Sequence, residues 1–325
     1  MKPAALGIDI GGTKTLCLLV SEAREIIEET KFKTAPNEGC KEFTRNLLDA
    51  LKGLNKLARE KQYHVVGIGI GCAGSVDRKQ SLIKTSPNLL CLEGFPVGKV
   101  LEEAFKVGVL LENDVQMGVC GEQAFGAAKG CSHVLGVFLG TGVGGGVILN
   151  GKLYRGASGL GGQVGMILAQ PLGGPEAALS HGILDRIASK SAIASEALVM
   201  AVKDWAPFLH QKVDTDLSKV TWGVLKRAIA HGDERIEDML KARLKVVGIA
   251  LSNIVNFLNP EMLVLGGGLT EEMPRLVVGE IEAGLRQYLS PEVGEALKIR
   301  KASLGGEAIA LGAADAALEK WADKD

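Results

Sequence analysis

Aromatic side chains make up only 4% of the 325 residues, and charge of neither sign prevails: 37 Lys+Arg face 38 Asp+Glu, for a formal net charge of −1. A chain so balanced, with no run of Lys or Arg, has no field or patch with which to capture a polyanion, so nucleic acid is not its expected partner. The six cysteines, Cys17, Cys40, Cys72, Cys91, Cys120 and Cys131, stand singly at irregular spacing. Without a Cys-x-x-Cys or a His pair at ligand spacing they read as reduced thiols, which excludes a disulfide scaffold and a zinc finger. Long apolar runs are missing too. The start, Met1 to Asp9, meets a carboxylate before an export signal can form, and the uncharged stretch from Cys131 to Gly151 holds seven glycines. The sequence therefore predicts neither a leader nor a membrane helix, and a cytoplasmic location is expected.

Glycine is present in excess, at 43 residues or about 13% against an ordinary ~7%. The residues cluster in a few places, which suggests close backbone approach to a ligand. With 46% apolar residues there is material for two modest cores.

Residues 4–10 read as a strand, Gly11-Gly12-Thr13-Lys14 as a turn and 15–20 as a second strand. Phe43, Leu47, Leu51, Leu54 and Leu57 recur at helical steps within 38–61, ahead of a buried strand at 65–71. A strand at 107–111 leads through Glu112-Asn113-Asp114 into a helix over 115–129. About 130 residues after the first such pattern, strand, glycine turn and strand return at 134–139, 140–146 and 147–149, a weak internal repeat. Helices are predicted near 177–203, 234–258 and 271–288, strands at 261–265 and 298–302, and a last Ala-rich helix at 306–321. Alternating elements of this kind give an α/β protein of two related lobes.

Three glycine turns, at Gly11-Gly12, Gly140–Gly146 and Gly266–Gly268, each follow an apolar strand, where backbone N–H groups are free to bind phosphate oxygens. Tight hairpins would use the same glycines. Gly140-x-Gly142-x-x-Gly145 matches a dinucleotide fingerprint as a string, but it runs into a strand and lacks the acidic residue about 20 positions on, which argues against an NAD enzyme. No Walker loop exists. Asp9 points at the first turn, where a carboxylate either caps the turn or approaches the phosphates through a cation such as Mg²⁺. Asp114 fits the N-cap of the following helix and equally a catalytic carboxylate, and the two roles are compatible.

Leu6-Gly7-Ile8-Asp9-Ile10-Gly11-Gly12-Thr13-Lys14, Glu112-Asn113-Asp114, and Leu139 to Gly146 with Asn150-Gly151-Lys152-Leu153 resemble the ROK family of sugar kinases and sugar-responsive repressors, in order and spacing over nearly the whole chain. The resemblance implies an actin-like, hexokinase-type (ribonuclease H-like) ATPase fold whose two lobes close over a cleft. The lobes are expected at 1–114 plus 307–325 and at 115–306. It implies phosphate loops at Gly11, Gly12, Thr13 and Lys14 and at Gly140, Thr141, Gly142 and Gly144, with Gly266, Gly267 and Gly268 beside the adenosine. Asp114 would be the catalytic base and Asp9 would hold Mg²⁺ through water, with Gly74, Asn88 and Asn113 facing the sugar. The cofactors implied are ATP and Mg²⁺, the partner a small sugar, and the assembly a homo-oligomer, a dimer first.

The departures lie in one segment. Gly162-Gln163-Val164-Gly165-Met166 stands where the family has Gly-Glu-Ile-Gly-His, and Gly182-Ile183-Leu184-Asp185 where it has Gly-Cys-Leu-Glu. All the usual zinc ligands are missing, so no zinc is expected, and sugar contacts would fall to Gln163 and Asp185. His181, four residues before Asp185, either faces the same site or is a polar residue at a helix start. The expected activity is phosphorylation of a hexose hydroxyl, glucose first. The rival is a sugar-binding regulator with weak or no kinase activity, or a kinase for another hexose or hexosamine.

Overall fold

An apolar strand buried from Ala4 to Ile8 on both faces can only be central to a sheet, and the first strand occupies that place. The computed structural model describes residues 1–35, 39–86, 89–170 and 182–322. The chain divides into two compact units: Met1–Gly130 with Gly156–Leu160 and Ser303–Asp325, and Cys131–Arg155 with Gly161–Ala302. Residues 115–130 thus group with the first unit, beyond the boundary expected at 114.

The first unit runs β1 (Lys2–Ile10), β2 (Lys14–Ser21), β3 (Ile26–Lys33), α1 (Cys40–Glu60), β4 (Tyr63–Cys72), a hairpin of β5 (Ser75–Asp77) and β6 (Leu82–Thr85), α2 (Val97–Phe105), β7 (Gly108–Asn113) and α3 (Asp114–Ala124). Its sheet has the order β3-β2-β1-β4-β7, antiparallel at the β1 and β2 edges and parallel from β1 through β4 to β7. On one face Phe43, Leu47, Leu51 and Leu54 of α1 pack on Leu6, Ile8, Ile68 and Ile70.

On the other face lies the C-terminal helix, Ala308–Trp321, and here backbone meets backbone. A Cβ on Gly7 would lie 2.0 Å from the Ala310 carbonyl oxygen, and one on Gly69 would lie 1.8 Å from that of Ala313. The helix is pinned to α3 in the same way, through Gly121 against Ala308 and Gly312 against Met117. These glycines correct the sequence reading, which gave the excess to ligand approach: part of it serves helix packing.

Glu122, fully buried, ties the end of α3 to the segment that enters the C-terminal helix. Its Oε1 accepts the Ser303 and Leu304 N–H groups, each at 2.8 Å, and its Oε2 accepts the Ala127 N–H at 2.8 Å and the Ser303 hydroxyl at 3.1 Å. These bonds hold the chain beyond Ala124 in a turn, so α3 stops short of the expected 129.

The second unit repeats the plan. It comprises β8 (Val134–Leu139), β9 (Val143–Leu149), β10 (Lys152–Leu153), α4 (Leu184–Ala188), α5 (Lys190–Val202), α6 (Pro207–Val213), α7 (Trp222–Ala230), α8 (Glu234–Leu258), β11 (Met262–Gly266), α9 (Gly268–Glu272), α10 (Pro274–Arg286), α11 (Pro291–Ala296) and β12 (Lys298–Lys301). The order β10-β9-β8-β11-β12, with β9 antiparallel and β11 and β12 parallel, is that of the first sheet. The helix expected over 177–203 is two helices in its described part, split at Ser189, which is extended and accepts the Ala192 N–H as the cap of α5. That expected over 271–288 starts afresh at Pro274, a residue suited to a first helical position. Among the described residues no helix is long and apolar enough to cross a membrane.

Replacing the fully buried Glu122 by Ala removes the shared acceptor of three N–H groups and a hydroxyl, so Glu122→Ala is expected to lose about 3 kcal/mol of stability. Urea denaturation of the variant checks this, and a midpoint equal to the parent's would contradict it.

Candidate active site

Asp9 near the end of β1 and Asp114 at the start of α3 are brought together because β4 alone separates β1 from β7. Asp9 pairs with Gly71 of β4, and Gly71 in turn with Glu112 of β7. A Cβ on Gly71 would lie 3.5 Å from the Asp114 Cα, so the start of α3 sits directly over the sheet. Burial, then the Asp114 carboxylate, push the Asp9 carboxyl up to about 7, against the pull of Lys14. Asp114 is also raised, by burial, although N–H groups of Val115 and of its own backbone and the Asn113 side chain favour its charge. Both carboxylates press on the neighbouring thiol: Cys72 is raised by burial, then by Asp114 and Asp9.

The capping role offered for Asp114 falls to its neighbour. It is Asn113 that caps α3, its Oδ1 accepting the Gln116 N–H at 3.2 Å, while its Nδ2 donates to Asp114 Oδ1 at 2.8 Å and to the Gly74 carbonyl at 3.0 Å. Asp114, released from capping, is oriented by a fixed amide. Gly74, with φ of +108° and a Cβ position only 2.0 Å from the Thr85 carbonyl oxygen, admits no side chain. Gly74, Asn113 and Asp114 therefore form one group. Around it lie residues the sequence reading missed: Arg78 binds Glu112 and donates to Gln116 Oε1 at 2.9 Å, and its guanidinium is crossed by Gly159. Nothing in the run Ser75-Val76-Asp77-Arg78 marks that pairing in advance.

The Gly11–Lys14 turn closes through the Gly11 N–H to the Lys14 carbonyl at 3.2 Å. Thr34 braces it, its hydroxyl donating to the Gly11 carbonyl at 2.6 Å and its N–H to the Thr13 carbonyl at 3.0 Å. In the second unit the other two glycine turns are neighbours at the ends of the paired strands β8 and β11. A Cβ on Gly267 would lie 2.4 Å from the Leu139 carbonyl oxygen, which immediately precedes Gly140. The Gly140 turn continues into β9, as the sequence reading required in setting the dinucleotide fingerprint aside.

Asp185, assigned to the sugar by resemblance, has its Oδ1 on the Val143 N–H at 2.8 Å, in the Gly140 turn. Gln163 precedes and Met166 ends a short helical turn at 164–166; both are exposed, and Gln163 also lines an apolar groove with Tyr154, Ile254 and Phe257. Asn88 and His181 lie outside the described residues. Among the described residues no group of three or more His, Cys, Asp or Glu side chains is placed to hold a metal ion. Two nearby buried carboxylates, one raising the other, nevertheless fit a hard cation that takes its remaining ligands from phosphate and water, which is how Mg²⁺ is commonly held.

Comparison with known proteins agrees with this architecture. The family model described as "ROK family" matches residues 5–320. A glucokinase of Halalkalibacterium halodurans is 30% identical, covering 94% of this chain and 92% of that protein. A xylose repressor of Bacillus spizizenii is 27% identical over 98% of this chain and 78% of its own length. Among solved structures, a ROK hexokinase from Thermus thermophilus superposes with a TM-score of 0.80 at 30% identity, covering 96% of each chain. A ROK family glucokinase from Streptomyces griseus in complex with glucose and AMPPNP gives 0.78 at 29% identity, covering 97% of this chain and 99% of that one. Both sheets and their helices thus form the expected actin-like ATPase fold.

The raised Asp9 carboxyl makes stability depend on pH with a definite sign. A carboxyl with a higher affinity for its proton in the folded state contributes stability at low pH, and that contribution is lost as pH rises from about 4 through about 7. Asp9→Asn is therefore expected to be more stable than the parent by a few kcal/mol at pH 8, with the gain shrinking towards pH 5. Thermal melts without Mg²⁺ or nucleotide measure it; a gain independent of pH would overturn the assignment.

Proposed function

Because the chain belongs to the ROK family, matched over residues 5–320, we propose that it phosphorylates a hexose hydroxyl at the expense of ATP, with glucose the first sugar to test. The observation that supports this most is the state of Asp114, held by Asn113, freed from capping and kept basic by burial. Such a carboxylate is matched to accept a proton from a sugar hydroxyl as that oxygen attacks phosphorus. In this reading Gly74, Asn88 and Asn113 orient the sugar, and the Gly11–Lys14 turn offers backbone N–H groups and the Lys14 ammonium to phosphate oxygens.

In the second unit the N–H groups of the Gly140–Gly144 turn serve the phosphates and Gly266–Gly268 the adenosine. Gly267, pressed on the Leu139 carbonyl, leaves that surface free of side chains. When bound, Mg²⁺ neutralises charge on the phosphates, and Asp9 is the residue that would hold it through its hydration shell. Nucleotide use is supported by the glucokinase relative crystallised with AMPPNP. Cytoplasmic location and a dimeric assembly belong to the same reading.

A coupled assay of ADP release over glucose, fructose, mannose, glucosamine and N-acetylated hexosamines tests the proposal. The xylose repressor relative favours a second reading, a sugar-binding regulator. Sugar binding by calorimetry with no ADP release from any sugar would establish that reading instead.

Two outcomes are expected. Asp114→Asn should retain its fold and nucleotide binding while turnover falls roughly 10²–10⁴-fold, because the hydroxyl loses its proton acceptor; near-normal turnover would remove Asp114 from the chemistry. The protein should also work without zinc, since residues 162–185 contain no Cys and the single His181, too few for a tetrahedral site. Elemental analysis of protein purified without added metal should find far less than one zinc per chain, and stoichiometric zinc would contradict this.

A further inference from the structure

Asp185 is the one candidate sugar residue whose carboxylate is engaged with a glycine turn. Its Oδ1 accepts the Val143 N–H at 2.8 Å and lies 2.9 Å from the position a Cβ on Gly142 would take, so it presses on the backbone of residues 142 and 143. The other end of the turn is held from the same stretch of chain, the Lys190 N–H donating to the Gly140 carbonyl at 3.0 Å. Between these two contacts the turn closes on itself, Gly140 N–H to Gly142 carbonyl at 2.9 Å. The break at Ser189, which ends α4 and starts α5, is what allows Asp185 and Lys190 both to reach it. Gly165 fixes the rear of Asp185, its Cβ position lying 3.4 Å from the Asp185 Cβ and 2.2 Å from the Val143 carbonyl oxygen.

From this geometry we infer that Asp185 is a positioning residue of the Gly140–Val143 turn, setting its affinity for phosphate. The inference rests on the kinase reading for the identity of the anion. Two effects of opposite sign follow from one side chain. By accepting the Val143 N–H, Asp185 holds the turn in one shape, which favours binding by pre-organisation. By carrying negative charge beside an anion-binding turn, it repels phosphate oxygens. The charge is therefore a brake on nucleotide affinity, and the hydrogen bond is what the turn needs. Glutamate, the family's usual residue, would have to fit a further methylene into the space against Gly142.

Substitution separates the two effects. Asp185→Asn keeps an oxygen for the Val143 N–H and loses the charge, Asp185→Ala loses both, and Asp185→Glu keeps the charge on a longer arm. Calorimetric titration with AMPPNP and Mg²⁺ is expected to show Asp185→Asn binding roughly threefold tighter than the parent, and Asp185→Ala and Asp185→Glu roughly tenfold weaker. Affinity for the sugar that scores in the ADP-release screen, measured on the same three variants, separates an effect on the turn from an effect on the sugar. If Asp185→Ala fails to melt cooperatively, the opposite signs of Asp185→Asn and Asp185→Glu carry the comparison. Sugar affinity that falls while AMPPNP affinity stays unchanged, or no change in either, overturns the inference and leaves the kinase reading intact. A parent protein that binds no nucleotide and phosphorylates no sugar overturns both.

Discussion

The contact on which the first unit depends is that of bare backbone with bare backbone, where the C-terminal helix lies on β1 and β4 at Gly7 and Gly69 and on α3 at Gly121 and Gly312. No side chain fits in these places, so the separation of helix and sheet is set by backbone atoms and is insensitive to rotamer choice. Dispersion energy falls steeply with distance, so such contacts pack densely without large residues. A core built this way has little use for aromatics, which accounts for their scarcity and for the Ala-rich sequence of the last helix. It also fixes α3 over Gly71, and so decides where Asp114 stands relative to Asp9.

That placement costs stability. Burial and the nearby Asp114 carboxylate raise the affinity of Asp9 for its proton, so that it sits near 7 where an exposed aspartate would sit near 4. A fold selected for stability alone would remove one of the two carboxylates. Here the surrounding network is arranged to keep Asp114 in place: Asn113 holds it, Gly74 and the Gln116 N–H hold Asn113, and Arg78 holds the Gln116 side chain. The first turn is stiffened in the same manner by Thr34. Strain concentrated where a charged ligand would relieve it is the pattern expected of a binding site.

Much of this was legible in the sequence because it follows from short-range rules. Strand, glycine turn and strand announced β1–β2 and β8–β9, and the spacing of Phe43 to Leu54 announced α1. The weak repeat between the two halves proved to be a shared sheet order. What stayed hidden was decided by tertiary contact. β3, with the sequence Ile-Ile-Glu-Glu-Thr-Lys-Phe-Lys, is a half-exposed edge strand with too few apolar residues to announce itself. α2 is short, and its buried apolar side chains, Val97 and Leu101, span a single turn. Gly7 and Gly69 look in sequence like any other glycine of a strand, because the carbonyls that exclude their side chains come from a helix about 300 and 240 residues later. Asp185 was read through its place in a family motif, and its hydrogen bond to Val143, 42 residues away, was invisible there.

The shared sheet order lets the two glycine turns be compared position by position. Asp9 is paired with Leu16 of β2 and Gly71 of β4; the residue paired with Gly144 of β9 and Gly266 of β11 is Phe138. The second unit thus has an aromatic ring where the first has its carboxylate, and the strand itself contributes no charge to its turn. A carboxylate arrives there all the same, from α4, in a stretch of chain between β10 and β11 with no counterpart between β3 and β4 beyond α1. The two differ in what they do for their turn. Asp9 makes no hydrogen bond to the Gly11–Lys14 backbone among the described residues, and Thr34 performs that service. Asp185 spends an oxygen on the turn itself. One plan of strand and turn has therefore acquired bracing by two routes, a hydroxyl in the first unit and a carboxylate in the second, and only the second route adds negative charge to the surface that would meet phosphate.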